Sequence, residues 1–221
     1  MSSSFPYQFL AFEGNIGTGK TTLCRRLASE EGAELILEEF TDNPFLQKFY
    51  DNPDRYALQV ELFFLSERYK QLNTFPIGQD LFDNTYISDY IFVKSLLFAS
   101  RNLSGHEIAL FRRIFDIVQS ALPQPDIIFY LHRPVGELME LIKKRNRPYE
   151  KKISPDYLNG IQSAYFSYFE TIKNIPVVIV DCSGLDFENR KKDWNYIIDL
   201  VSGKYHPGIT YSGEKGSPLF E

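Results

Sequence analysis

Phe9-Leu10-Ala11-Phe12-Glu13-Gly14-Asn15-Ile16-Gly17-Thr18-Gly19-Lys20-Thr21-Thr22 is a short apolar run leading into GxxxxGK[ST], with helix-forming sequence directly after it. Strand, glycine-rich loop, Lys-Thr and helix stand in the order that a phosphate-binding P-loop requires. Without Cβ atoms at 14, 17 and 19 the backbone can curl so that its N–H groups point inward at a phosphate. The candidate phosphate-binding set is therefore Gly14, Asn15, Ile16, Gly17, Thr18, Gly19, Lys20, Thr21 and Thr22. Lys20 places a cation between β- and γ-phosphates, and Thr21 offers a hydroxyl to Mg²⁺. A helix from Lys20 to about Glu31 adds the positive end of its dipole at the same spot. The expected ligands are ATP, or another nucleoside triphosphate, and Mg²⁺.

The chain has 221 residues and no Pro/Gly/Ser-rich linker or charge block divides it, so one α/β domain is the simplest count. A net charge of −5 argues against a polynucleotide partner, which demands Lys and Arg clustered on one face. A small nucleotide needs only a local cationic pocket. Cys24 and Cys182 lie far apart without metal-ligand spacing and suit a reducing cytoplasm. The polar start Met1-Ser2-Ser3-Ser4 precedes no apolar segment long enough for a signal peptide or a membrane span. A cytoplasmic protein with no membrane partner is expected.

Apolar runs alternate with helical stretches, the pattern of a parallel sheet with helices on both faces. The periodicity predicts five strands, near 7–13, 34–39, 85–88, 126–131 and 176–181. Helices are expected at roughly 20–31, 43–50, 54–74, 90–100, 105–121, 134–145, 154–172 and 187–202. From Gly203 onward Gly, Pro and Lys replace the periodic pattern, so the domain over 1–202 is followed by a tail over 203–221.

The carboxylates bear on what receives the phosphate. Ile127-Ile128-Phe129-Tyr130-Leu131 ends in His132-Arg133, not in the Asp that many P-loop motors use for Mg²⁺, and no NKxD guanine signature occurs. Glu38 instead closes the second strand and Asp89 the third, and strand C-termini face the P-loop. Two carboxylates there can divide the work, one taking the proton of an attacking hydroxyl and the other orienting Mg²⁺.

Several ordered motifs together resemble the deoxyribonucleoside kinase family, closest to its bacterial deoxyguanosine and deoxyadenosine kinases. They are the P-loop; Glu38-Glu39-Phe40 followed by Asp42-Asn43-Pro44-Phe45-Leu46; Tyr50-Asp51-Asn52-Pro53; Glu61-Leu62-Phe63-Phe64-Leu65-Ser66-Glu67-Arg68-Tyr69-Lys70; Ser88-Asp89-Tyr90; and Lys144-Arg145-Asn146-Arg147-Pro148-Tyr149-Glu150-Lys151-Lys152. The likeness covers most of residues 8–202. It implies a three-layer α/β sandwich with a short lid at about 143–152, a deoxynucleoside acceptor, and a homodimer. It makes Glu38 the general base, with Lys20, Thr21 and Asp89 at the donor phosphates and the metal. Tyr50 and Glu150 fall where the family contacts the 3′-hydroxyl, and Arg145 and Arg147 fall in its lid over the phosphates. Glu61 and Arg68 share one face of a helix at the base, and Asp186 and Phe187 fall in a loop like the one that packs on the donor's adenine.

The chain also departs from the family pattern. Tyr90 stands where an arginine commonly holds phosphate oxygens, and Leu141 stands where a lid arginine often occurs. Glu61 replaces a glutamine that commonly reads the base, and Ser95 an aspartate that helps it. The expected activity is transfer of a γ-phosphoryl group to the 5′-hydroxyl of a purine deoxynucleoside, deoxyguanosine before deoxyadenosine, in nucleotide salvage. A nucleoside monophosphate kinase and a non-catalytic nucleotide-binding regulator remain open at this point.

Overall fold

The computed structural model describes residues 5–38, 43–77 and 84–213. Its sheet is built from β1 (Phe9–Gly14), β2 (Glu34–Ile36), β3 (Tyr86–Ser88), β4 (Ile127–His132), β5 (Pro176–Asp181) and β6 (Gly208–Ser212). All neighbours pair in parallel, in the order β2-β3-β1-β4-β5-β6. The sheet thus has six strands where the sequence pattern indicates five. The sixth is the short Ile209-Thr210-Tyr211 run behind Pro207-Gly208, in the stretch read as tail; it extends the sheet beside β5.

The helices are α1 (Lys20–Glu31), α2 (Leu46–Asp51), α3 (Pro53–Thr74), α4 (Lys94–Asn102), α5 (Gly105–Gln119), α6 (Val135–Arg145), α7 (Pro155–Thr171) and α8 (Lys191–Val201), with a 3-10 turn at Pro148–Lys152. Strand alternation sorts the core into two faces. Leu10, Phe12, Ile127, Phe129, Val178 and Val180 pack under α1 and α8, together with Leu23, Leu27, Trp194 and Ile197. Phe9, Ala11, Ile128, Tyr130, Val177 and Ile179 pack under α2 to α5 and α7 in the larger core. This is the expected three-layer arrangement, and it brings the C-terminal ends of β1, β2, β3 and β4 to one edge.

Glu13 continues the Phe9-Ala11 face of β1, so the alternation drives a carboxyl group into the larger core, where it is fully buried. It is satisfied there. Oε2 accepts from the Tyr165 hydroxyl at 2.8 Å and from Gly14 N–H at 3.1 Å, and Oε1 accepts from Ile91 N–H at 2.9 Å. One side chain thereby links the start of the P-loop, α7 and the segment after β3. Tyr165→Phe removes a donor from a buried acceptor and should lower stability by about 1–3 kcal/mol, a fall in Tm of roughly 3–10 °C for a domain of this size. Thermal unfolding of the purified variant checks this, and an unchanged Tm would show that Glu13 does not need the hydroxyl.

Candidate active site

The P-loop occupies the turn between β1 and α1. Gly17 has φ +93°, and a Cβ there would come within 2.9 Å of Ile142 on α6. Gly19 has φ +89°, and a Cβ there would meet the Phe187 ring at 3.0 Å. Both positions need glycine for backbone conformation and for space. Lys20 turns back across the loop and donates to Gly14 C=O at 2.8 Å and Asn15 C=O at 3.0 Å. Burial, and next the nearby Lys94 charge, pull its ammonium down to about 8.

Opposite the loop, Glu38 follows β2 and Asp89 follows β3. Asp89 Oδ2 accepts from the Thr21 hydroxyl at 2.5 Å and Oδ1 from Glu38 N–H at 2.8 Å. A hydroxyl and a carboxylate oxygen so placed beside the P-loop lysine are the hard oxygen donors that Mg²⁺ takes when phosphates and water complete its shell. Among the described residues no group of three or more His, Cys, Asp and Glu could hold a metal by itself.

Glu38 is held from two sides. Arg68 of α3 donates to Oε1 through Nε at 2.9 Å and also through Nη2, while Lys94 of α4 donates to Oε2 at 2.6 Å. Burial favours the neutral acid, but Lys94 and Arg68 outweigh it and hold the carboxyl well below the usual glutamate range. Arg68 is fixed in turn by Ser95, whose hydroxyl accepts from Nη1 at 2.7 Å, and it lies 5.0 Å from the Phe64 ring.

These groups line one cleft. Gly14, Ile16, Gly17, Lys20 and Thr21 form its phosphate end, with Glu38, Arg68 and Asp89 across from them. Tyr50, Glu61, Arg145, Arg147 and Glu150 line it too, beside Phe64 and Phe98. Arg145 donates to Glu150 from Nη2 at 2.6 Å and from Nε at 3.1 Å, and Arg147 donates to the same carboxylate at 3.5 Å. Asn15, Thr18, Gly19 and Thr22 of the candidate set lie off the cleft wall. Asn15 is buried and donates to Leu158 C=O, Thr18 is buried and donates to Asn15 C=O, and Thr22 is exposed on α1. Phe187 packs behind the P-loop at Gly19, while Asp186 accepts from Asn189. Glu39, Phe40 and Asp42 of the second motif lie outside the described residues.

Three polar residues of the cleft are not singled out by the sequence. Lys94 was legible only as a lone lysine after the apolar run Tyr90-Ile91-Phe92-Val93, and Asn102 and Tyr157 carried no signal. Asn102 donates to Glu61 Oε1 at 2.6 Å and to the Tyr157 hydroxyl at 3.3 Å. Glu61 is only 3% exposed, takes its hydrogen bond from Asn102, and feels the Arg68 charge further along the helix. Burial pushes its carboxyl up to about 7, against the pull of the Asn102 hydrogen bond.

The fold and the cleft together define a class: a P-loop α/β enzyme with an acidic group set against the phosphate loop. Residues 10–205 match the sequence profile of the Deoxynucleoside kinase family. The chain belongs to that family and is an ATP-dependent deoxynucleoside kinase. It is 37% identical over 193 residues to the deoxyguanosine kinase of Bacillus subtilis (strain 168), covering 86% of this chain and 93% of that one. It is 31% identical over 177 residues to the deoxyadenosine kinase of Dictyostelium discoideum, covering 79% and 72%. A solved deoxyadenosine kinase from M. mycoides with bound dATP superimposes with a TM-score of 0.74 at 21% identity, covering 88% of this chain and all of that one, which establishes the fold. No helix among the described residues is long and apolar enough to cross a membrane.

Because Glu61 keeps its proton in the folded protein up to about 7 but loses it in the unfolded chain near the ordinary 4.5, folding binds a proton between those values. Stability attributable to Glu61 therefore falls as pH rises through that window and stays low above it. Glu61→Gln removes the loss, so its stability advantage over wild type should grow from pH 4.5 to 7 and then level off, at about 3 kcal/mol. Denaturation across that pH range checks it; a difference constant with pH would place Glu61 in an ordinary solvated setting.

Proposed function

We propose that the enzyme transfers the γ-phosphoryl group of ATP to the 5′-hydroxyl of a purine deoxynucleoside, deoxyguanosine before deoxyadenosine. The observation that carries this reading is the Glu38 carboxylate, kept ionised by Arg68 and Lys94 in the same cleft as Lys20. The hydroxyl oxygen attacks the γ-phosphorus, its proton passes to Glu38, and ADP leaves as the bond to the bridging oxygen breaks. A weak base suffices, because in a loose transition state the nucleophile needs little activation while charge spreads over the phosphoryl oxygens. Mg²⁺ held through Thr21 and Asp89 would neutralise charge on the β- and γ-phosphates. Arg145 and Arg147 are the lid cations; to reach phosphate they leave Glu150, and Glu150 and Tyr50 are the residues assigned to the 3′-hydroxyl. Asp186 and Phe187 are assigned to the donor's adenine side.

The 37% identity to a deoxyguanosine kinase supports the guanine preference, and so does Glu61. An ionised carboxylate accepts from guanine N1–H and the N2 amino group together, whereas adenine offers a donor beside an acceptor. A homodimer in the cytoplasm completes the proposal. Leu110 and Ile117 on α5 are the most exposed large aliphatic side chains among the described residues, at 49% and 74%, and a second copy would cover them.

Glu38→Gln keeps shape but cannot take the proton, so kcat should fall by about 10²–10⁴ with little change in triphosphate binding. Steady-state kinetics decide this, and near-normal turnover would remove Glu38 from the role. The base preference should depend on pH as well. Protonated Glu61 can donate and so tolerates adenine, while ionised Glu61 suits guanine. The ratio of kcat/KM for deoxyguanosine over deoxyadenosine is therefore expected to rise as pH increases through about 7. Glu61→Gln should flatten that rise and shift the ratio toward deoxyadenosine; a flat wild-type profile would sink the base-reading assignment while leaving the kinase intact.

A further inference from the structure

Position 90, where the family resemblance places a phosphate-holding arginine, contributes nothing to the cleft. The Tyr90 ring is fully buried in the larger core and its hydroxyl donates to Gln71 at 2.9 Å. About one helical turn further on, Lys94 opens α4 and sends its side chain into the cleft, where it is 8% exposed. An ammonium has three N–H donors. Among the described residues the acceptor given to it is Glu38 Oε2. A buried cation thus keeps donors for whatever fills the cleft, and its partner Glu38 keeps it charged, with its pKa raised.

Glu38 fixes where that filling must lie. An ionised carboxylate offers about four acceptor sites. Arg68 uses Oε1 through two nitrogens and Lys94 uses one site on Oε2, so the site left for a substrate hydroxyl is the second one on Oε2, beside the ammonium. A hydroxyl bonded there is next to Lys94 Nζ, and so is the phosphoryl group that it attacks. Lys20 lines the same cleft, and Lys94 acts on it more strongly than any other neighbouring charge. Both ammoniums therefore face the space in which transfer takes place.

We propose that Lys94 is a second phosphoryl-binding cation of this active site, which stays bonded to Glu38 through one N–H while another donates to an equatorial oxygen of the group in transfer. It supplies from α4 the charge that Tyr90 cannot. During transfer the 5′-oxygen-to-phosphorus bond forms, the bond to the bridging oxygen of ADP breaks, the hydroxyl proton goes to Glu38, and Lys94 retains all its protons. The inference rests on the reading that the substrate hydroxyl bonds to Glu38.

The test compares Lys94→Met and Lys94→Arg with wild type by kcat and by calorimetric affinity for ADP alone and for ADP with aluminium fluoride and deoxyguanosine, which mimics the planar phosphoryl group. Lys94→Met should lower kcat by about 10²–10³ and weaken the fluoride complex by a similar factor, with ADP alone changed less than about threefold. Lys94→Arg, which keeps a positive charge, should recover a large part of both. If Lys94→Met weakens the fluoride complex no more than it weakens ADP, Lys94 merely neutralises Glu38 and the proposal is overturned. The same comparison in a Glu38→Gln background separates the two assignments. A further loss of fluoride affinity on removing Lys94 supports the phosphoryl contact, no further loss overturns it, and normal turnover of Glu38→Gln by itself overturns the role of Glu38. Should Lys94→Met fail to fold, Lys94→Gln, uncharged but still able to donate to Glu38, carries the same comparison.

Discussion

The carboxylate of Asp89 accepts from two elements at once, the Thr21 hydroxyl at the start of α1 and the Glu38 N–H beyond β2. Its own N–H donates to Ile36 C=O at 3.1 Å. A residue only 3% exposed thus sets the separation between the P-loop and the segment that follows β2. With the backbone at 38 pinned this way, the Glu38 side chain is directed toward α3 and α4, where Arg68 and Lys94 meet it. The chemistry of the cleft depends on this placement, because a carboxylate this deeply set stays ionised only with cations in contact.

Much of the frame could be read from the chain because it is local. Helix α1 runs over the expected 20–31: the glycine at 19 begins it, and Gly32, in the left-handed region, ends it. Helix α2 starts at Leu46, not 43, since Asn43 Oδ1 accepts from Phe45 N–H and holds the Asn43-Pro44 segment as a turn. Helix α4 starts at Lys94, not 90, because Glu13 captures the Ile91 N–H and Tyr90 is drawn into the core. Helix α8 starts at Lys191, later than 187, where Asp186 and Asn189 form a side-chain-bonded turn. Strand β6 was not legible, since five residues carry too little alternation to stand out, and pairing with β5 is what makes them a strand.

The site divides in the same way. Lys20, Thr21, Glu38 and Asp89 sit at fixed points of one repeating β-loop-α geometry, and their residue types betray them. The partners that set their charge come from elsewhere: Arg68 and Lys94 are 30 and 56 residues beyond Glu38, and Asn102 is 41 beyond Glu61. Such pairings are products of packing between helices, so no local pattern announces them. The family resemblance supplied roles for the residues with matching motifs and was silent on Lys94, which stands outside them.

A third, small apolar cluster lies apart from both sheet faces. Leu138 and Ile142 of α6, Ile153 after the 3-10 turn and Leu158 of α7 form it, with Ile16 of the P-loop and Tyr50 packed alongside. Arg145 and Arg147 are carried between two of its members, Ile142 and Ile153. The segment that bears them therefore packs on a small core shared with α7 and the P-loop, separate from the two buried sheet faces. Since Ile142 also lies against Gly17, where not even a methyl group would fit, the packing of α6 and the shape of the P-loop are tied together, and a shift in one strains the other.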